Sequence, residues 1–170
     1  LMLGTGGVSV FALQLALTNG AKVVITSSSD EKLSRMKELG AEVTVNYKTN
    51  ENWDQLILEK TGGVDIVVET GGLGTLEQSI NTCKPNARIG LIGGLSGRDK
   101  QPNLGGLLMK NLILKGITSG SRKMLEGCIS AVEINNLRPV IDKVYDFKKA
   151  NEAYKYLDSG SHIGKVVIKI

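Results

Sequence analysis

Three apolar residues, Leu1-Met2-Leu3, run straight into Gly4-Thr5-Gly6-Gly7-Val8-Ser9, and beyond them Val8, Phe11, Ala12, Leu15 and Ala16 recur at the three-and-four spacing of a helix face. A strand, a glycine-rich turn and a helix in immediate succession leave few folds open. Gly4 suits the tight turn, Gly6 allows a ligand to approach the backbone, and the small Ser9 takes the third position of the G-x-G-x-x-G pattern. The N–H groups at the helix start, near Gly7 and Val8, attract anionic oxygens with help from the helix dipole. Thr5 lies inside the same turn. Three glycines carry an entropic cost that a turn binding nothing has no reason to carry, so the motif points to a pyrophosphate of dinucleotide type.

The rest of the chain repeats the alternation. Strand-like runs fall at residues 22–26, 42–45, 65–69, 88–92, 112–117 and 165–170, and helical stretches at 8–19, 30–39, 53–60, 75–82, 104–110, 122–135 and 148–157. Residues 65–69 are nearly continuous and β-branched, as in a strand covered on both faces. Such alternation implies an α/β fold, a Rossmann-type doubly wound parallel sheet in three layers with right-handed crossovers. The pattern pauses at Arg138-Pro139, which divides an expected nucleotide-binding domain at 1–138 from a helix and strand at 139–170. The opening strand is short against the ~5–6 residues usual for one, and Leu1 stands where an initiator Met would, so a fragment boundary is expected there.

With 41% hydrophobic and 22% charged residues and no long apolar run, the chain reads as a soluble, cytoplasmic protein without a membrane span. Its net charge of +4 is scattered rather than clustered, which argues against nucleic acid. Cys83 and Cys128 have no metal or disulfide spacing, and His162 is the only histidine, so no metal site is expected from this chain alone. No serine or cysteine nucleophile sits in a motif with a base, and the catalytic residues stay unknown.

Where NAD is the ligand, an acid about 20 residues past the turn binds the adenosine ribose hydroxyls. Ser27-Ser28-Ser29 stand there instead. Serine hydroxyls donate to a 2′-phosphate that a carboxylate would repel, and Lys32 and Arg35 on the next helix add positive charge. Lys32 is informative, because a cation in a first helical turn opposes the macrodipole. A plainer role is also open, with Ser28 and Glu31 as a capping box and Lys32 solvated. The reading is NADP over NAD, with Asp30 as the alternative acid. Tyr47 packs near the adenine or its phosphate, or is a half-buried core residue. Thr70-Gly71-Gly72, Gly93-Gly94 and Gly120 follow later strands and keep one sheet edge low for the nicotinamide end. Ser119 and Arg122 line that edge, Arg122 either reaching a phosphate or simply beginning its helix.

Taken together, Gly4 to Gln14, Ser28 to Leu33, Leu39-Gly40-Ala41, Val45-Asn46-Tyr47, Val64 to Gly72, Ile113 to Ile117 and Gly160 to Ile168 resemble the medium-chain dehydrogenase/reductase superfamily, in its quinone oxidoreductase and zinc-type alcohol dehydrogenase-like branch. The resemblance covers essentially the whole chain. Ser9 departs from the commoner glycine but is small enough to preserve the turn. The resemblance implies a preceding GroES-like catalytic domain, to which the last strand returns and which carries any catalytic zinc. It also implies a homodimer through the sheet edge near Ile113 to Ile117. The function expected is hydride transfer between NADPH and a small carbonyl, enone or quinone, with the 170 residues alone inactive. The rival readings are a dinucleotide-sensing module without turnover and a methyltransferase, the latter at odds with Ser27 where an acid is usual.

Overall fold

The β-branched runs become strands and the amphipathic stretches helices in the computed structural model, which describes residues 1–97 and 99–170. In chain order these are β1 (Met2–Leu3), α1 (Gly7–Thr18), β2 (Val24–Ser27), α2 (Asp30–Glu38), β3 (Val43–Asn46), α3 (Trp53–Thr61), β4 (Val64–Glu69), α4 (Leu76–Thr82), β5 (Cys83–Leu91), α5 (Gly105–Met109), β6 (Ile113–Gly116), α6 (Arg122–Ile134), β7 (Ile141–Asp146), α7 (Ala150–Asp158) and β8 (Lys165–Lys169). The chain divides into two compact units, one of residues 1–4 and 22–119, the other of residues 5–21 and 120–170.

The first unit holds a six-stranded sheet, parallel throughout, in the order β3-β2-β1-β4-β5-β6. This is the doubly wound order: the chain builds outward from β1 to β3, returns to β4 beside β1, and builds outward again. Leu1, Leu3, Val24, Val45, Val67 and Ile89 of the sheet form one core with Trp53 and Ile57 of α3 and Leu76 and Ile80 of α4. The alternation of strand side chains puts these residues on one face.

Two strands differ from expectation. β4 is apolar on both faces in sequence, yet Val67 is fully buried while Ile66 is 60% exposed. A run of β-branched residues reports strand propensity, not how many faces are covered. β5 starts at Cys83 rather than Arg88, with an irregularity in its register against β4 between Val64 and Ile66. Pro85 and Asn86, the latter at φ 64°, disguise that start, and such residues belong to strand ends and bulges. Lys110 supports this segment, its ammonium donating to the carbonyls of Ile80 (3.2 Å), Asn81 (2.8 Å) and Cys83 (3.0 Å) where α4 gives way to β5.

The second unit contains a strand that the sequence pattern hid. β7 pairs in parallel with β8, from Ile141 opposite Lys165 to Asp146 opposite Lys169, with α7 between them in the chain. Its Ile-Asp-Lys-Val-Tyr-Asp sequence alternates imperfectly and follows Pro139. Tyr156 of α7 donates to Asp142 Oδ2 (2.6 Å), a bond that pushes its phenol up to about 12, and the Lys143 ammonium sits 3.8 Å from the Tyr156 ring centre. Gln14 of α1 donates to the Arg138 carbonyl (2.7 Å). Among the described residues no helix is long and apolar enough to cross a membrane.

Removing the Lys110 ammonium leaves three carbonyls to water. Lys110→Ala is expected to cost about 1–2 kcal/mol, a charge-assisted contribution reduced by partial exposure. A urea midpoint shift at constant m-value measures it, and an unchanged midpoint contradicts it.

Candidate functional site

The first unit has a cavity of about 460 Å³ at the carboxyl ends of its strands, within the usual size range of small-molecule sites. Leu3 and Gly4 follow from β1, Thr26 from β2, Tyr47 from the exit of β3, and Thr70 and Gly71 from the exit of β4. Glu51 and Trp53 at the start of α3, Thr75 and Gln78 at the start of α4, and Leu95 and Ser96 after β5 complete the lining. The α3–α4 wall is fixed by amides: Gln78 Nε2 donates to the Glu51 carbonyl (2.7 Å), and Asn81 Nδ2 to the buried Asp54 carboxylate (2.9 Å).

Four residues singled out from sequence therefore meet there: Gly4, Tyr47, Thr70 and Gly71. Tyr47 is 42% exposed and is among the residues that line the cavity. Trp53, Gln78 and Ser96 were not anticipated. Trp53 was the readable signal, as the only tryptophan of the chain at the head of a helix.

The turn after β1 is built from permissive backbone. Gly4 has φ +75°, a conformation that side chains rarely adopt. Neither Gly4 nor Gly6 has a heavy atom within 4 Å of where a Cβ would stand, so their bareness serves no internal packing. Helix α1 begins at Gly7 with extended Gly6 as its N-cap and no side-chain cap, which leaves its first N–H groups for solvent or an anion. Val8 beside them is 49% exposed, whereas Thr5 and Ser9 are buried. Within the second unit Gly164 braces the turn, its N–H donating to the Thr5 carbonyl (2.9 Å) and its backbone bridging Gly6. The Lys165 side chain passes over Gly7, with Cδ 2.7 Å and Nζ 3.4 Å from the place of an added Cβ. Gly164 and Lys165 are separated from the turn by most of the chain, and neither was anticipated.

At the end of β2, Ser27 is buried and its carbonyl accepts from the Tyr47 N–H (3.0 Å). The cap of α2 is Ser29, not Ser28: its hydroxyl accepts from the Lys32 N–H (3.4 Å), because the helix starts one residue later than a Ser28 box requires. Ser28 and Lys32 are both half-buried. Asp30 is held by Asn46 Nδ2 (2.8 Å), and Arg35 pairs with Glu38 (2.6 Å).

The glycines after β4 and β5 have different duties. A Cβ on Gly93 would collide with the Thr70 carbonyl, and one on Gly72, at φ +90°, would stand 2.7 Å from Gly94 Cα. These two let the strand exits pack backbone on backbone. Gly94 faces open space. Ser119 is exposed, and Arg122 starts α6 with its guanidinium paired to Glu126 (2.8 Å), one turn on. Gly120 rests against Met124 of the same helix.

Zinc does not fit these residues. Among those described, no three His, Cys, Asp or Glu side chains are grouped to hold a metal. Cys128 is exposed on α6. Cys83 is buried, donates to the Ser79 carbonyl (3.2 Å), and has its thiol pushed up to about 11, chiefly by burial.

Residues 7–133 match the family model described as zinc-binding dehydrogenase. A zinc-type alcohol dehydrogenase-like protein of Schizosaccharomyces pombe is 46% identical over all of this chain and 51% of its own length. A crystal structure assigned as an alcohol dehydrogenase of Sinorhizobium meliloti 1021 superposes with a TM-score of 0.90 at 42% identity, over 99% of this chain and 50% of that one. A second crystal structure, of an NAD-dependent alcohol dehydrogenase, gives 0.88 at 33% identity over 99% and 50%. The chain thus spans about half the length of the relatives it matches.

Gly93→Ala is expected to destabilise by about 1–3 kcal/mol through overpacking, and Gly94→Ala to leave stability within about 0.5 kcal/mol, as at open surface positions. Paired thermal melts decide the point, and equal losses would contradict the division of duties between the two glycines.

Proposed function

The chain belongs to the zinc-binding dehydrogenase family of medium-chain dehydrogenases/reductases, and from that premise we propose that it is the nicotinamide-dinucleotide-binding part of an oxidoreductase, with NADP(H) preferred to NAD(H). The observation that carries the reading is the cavity at the carboxyl ends of β1, β2 and β4, where the strand order reverses and ligands of doubly wound sheets bind. Gly4 lines it and is continuous in the chain with Thr5-Gly6-Gly7-Val8.

In this reading the turn amides and the Lys165 ammonium receive the pyrophosphate, and Tyr47 and Trp53 flank the adenine. Ser27, Ser28 and Lys32 take the ribose 2′-phosphate. Gly93, Gly94, Ser119 and Arg122 serve the nicotinamide half, where Gly94 leaves space beside the backbone. The cofactor supplies the hydride, and the chain's residues bind and orient it. The substrate is a small carbonyl, enone or quinone, held with a GroES-like domain to which the β7–α7–β8 segment returns. Zinc chemistry, if the whole enzyme uses any, belongs to that domain. The β6 edge, with Ile113 52% exposed, pairs two copies. The protein works in the cytoplasm. Membership of a dehydrogenase family argues against the methyltransferase reading.

NAD(H) is the rival cofactor, supported by the Asp30–Asn46 bond near the ribose end and by the NAD-dependent relative. Calorimetric titration with NADPH and NADH in parallel separates the two. NADPH is expected to bind at least about tenfold tighter, and Lys32→Gln to remove about that factor for NADPH alone, the worth of one charge-assisted phosphate contact. Ser27→Asp should invert the preference. Tighter NADH binding by the wild type would overturn the NADP assignment.

A further inference from the structure

Glu69 is the last residue of β4, and its side chain is completely buried. A buried carboxylate needs compensating donors, and four converge on it. Oε1 accepts from the N–H groups of Gly71 (2.8 Å) and Gly72 (3.0 Å) and from Thr75 Oγ1 (2.7 Å), while Oε2 accepts from Ser79 Oγ. The residue's carbonyl reaches the other way, accepting from the N–H groups of Ile92 (2.8 Å) and Gly93 (3.2 Å). One residue thereby ties the exit of β4, the start of α4 and the exit of β5.

Thr70, Gly71 and Thr75 line the cavity, and Glu69 does not. The Gly71 and Gly72 amides are turned inward onto the carboxylate. Outward, the Gly71 carbonyl accepts from Ser96 N (2.8 Å) and Oγ (2.7 Å), which fixes a further lining residue. Two backbone N–H groups and two hydroxyls satisfy this carboxylate, and they do so only where the loop holds them in one geometry. A purely apolar residue would fill the same space without turning the loop.

We infer that Glu69 is a positioning residue for dinucleotide binding: its buried carboxylate sets the Thr70–Thr75 loop in the shape that receives the adenosine half of the cofactor. This rests on the cofactor reading above.

The test is titration of the purified protein with NADPH, and with 2′,5′-ADP as the adenosine end alone. Glu69→Leu removes every acceptor and is expected to raise both dissociation constants at least about tenfold. Glu69→Gln keeps an oxygen for Gly71, Gly72 and Thr75 while its amide donates to Ser79, and should restore affinity to within about threefold. Lys110→Ala, which lowers stability away from the cavity, should leave both constants unchanged. If Glu69→Leu does not fold, Glu69→Asp, which withdraws the carboxylate by one methylene, should still weaken both ligands. A folded Glu69→Leu or Glu69→Asp that binds like wild type overturns the inference alone. A wild type that binds neither NADPH nor NADH overturns the cofactor reading, and the inference with it.

Discussion

Strand β1 is only two residues long, yet it is paired on both sides, Met2 and Leu3 with Ile25 and Thr26 of β2, and Met2 with Val68 of β4. Everything that defines the site follows from that central pairing. The chain leaves β1 toward β2 in one direction and returns to β4 on the other side, so the strand order reverses beside β1. A gap at the carboxyl ends is the consequence of topology, present before any side chain is chosen. The Thr70 hydroxyl strengthens the junction by donating to the Leu3 carbonyl (2.9 Å), which fixes the start of one loop to the end of the neighbouring strand.

Around that gap the glycines divide into two kinds. Gly72 and Gly93 are small because backbone packs against backbone, and their loss should be felt as instability. Gly4, at φ +75°, is glycine for its backbone conformation, and Gly94 faces open space. The first kind, with Glu69, gives the rim a fixed shape.

Much of this was legible in the sequence, because the signals were local. The turn at Gly4 to Ser9 carries its own conformational requirement, and the helices after it follow the 3.6-residue period, so six strands and all the α-helices could be located to within a few residues. β7 escaped because its pairing with β8 is non-local and its alternation is imperfect. The early part of β5 escaped because Pro85 and Asn86 resemble a loop. At the site, Gly4, Tyr47, Thr70 and Gly71 were readable from their places after strands. Gln78 and Ser96 were not, since no local pattern distinguishes a side chain that faces a cavity from one that faces solvent or core. Glu69 illustrates the limit: its position at a strand end was plain, but its burial and its four donors arise only in three dimensions.

In the proposed function a nicotinamide dinucleotide lies in the cavity that Trp53 lines. Because Trp53 is the only tryptophan, its fluorescence reports on that wall without labelling. Titration with NADPH is expected to quench Trp53 emission and to sensitise emission from the reduced nicotinamide, with 2′,5′-ADP reversing both. A ligand that binds by calorimetry yet leaves Trp53 emission unchanged would place the dinucleotide elsewhere and contradict the account.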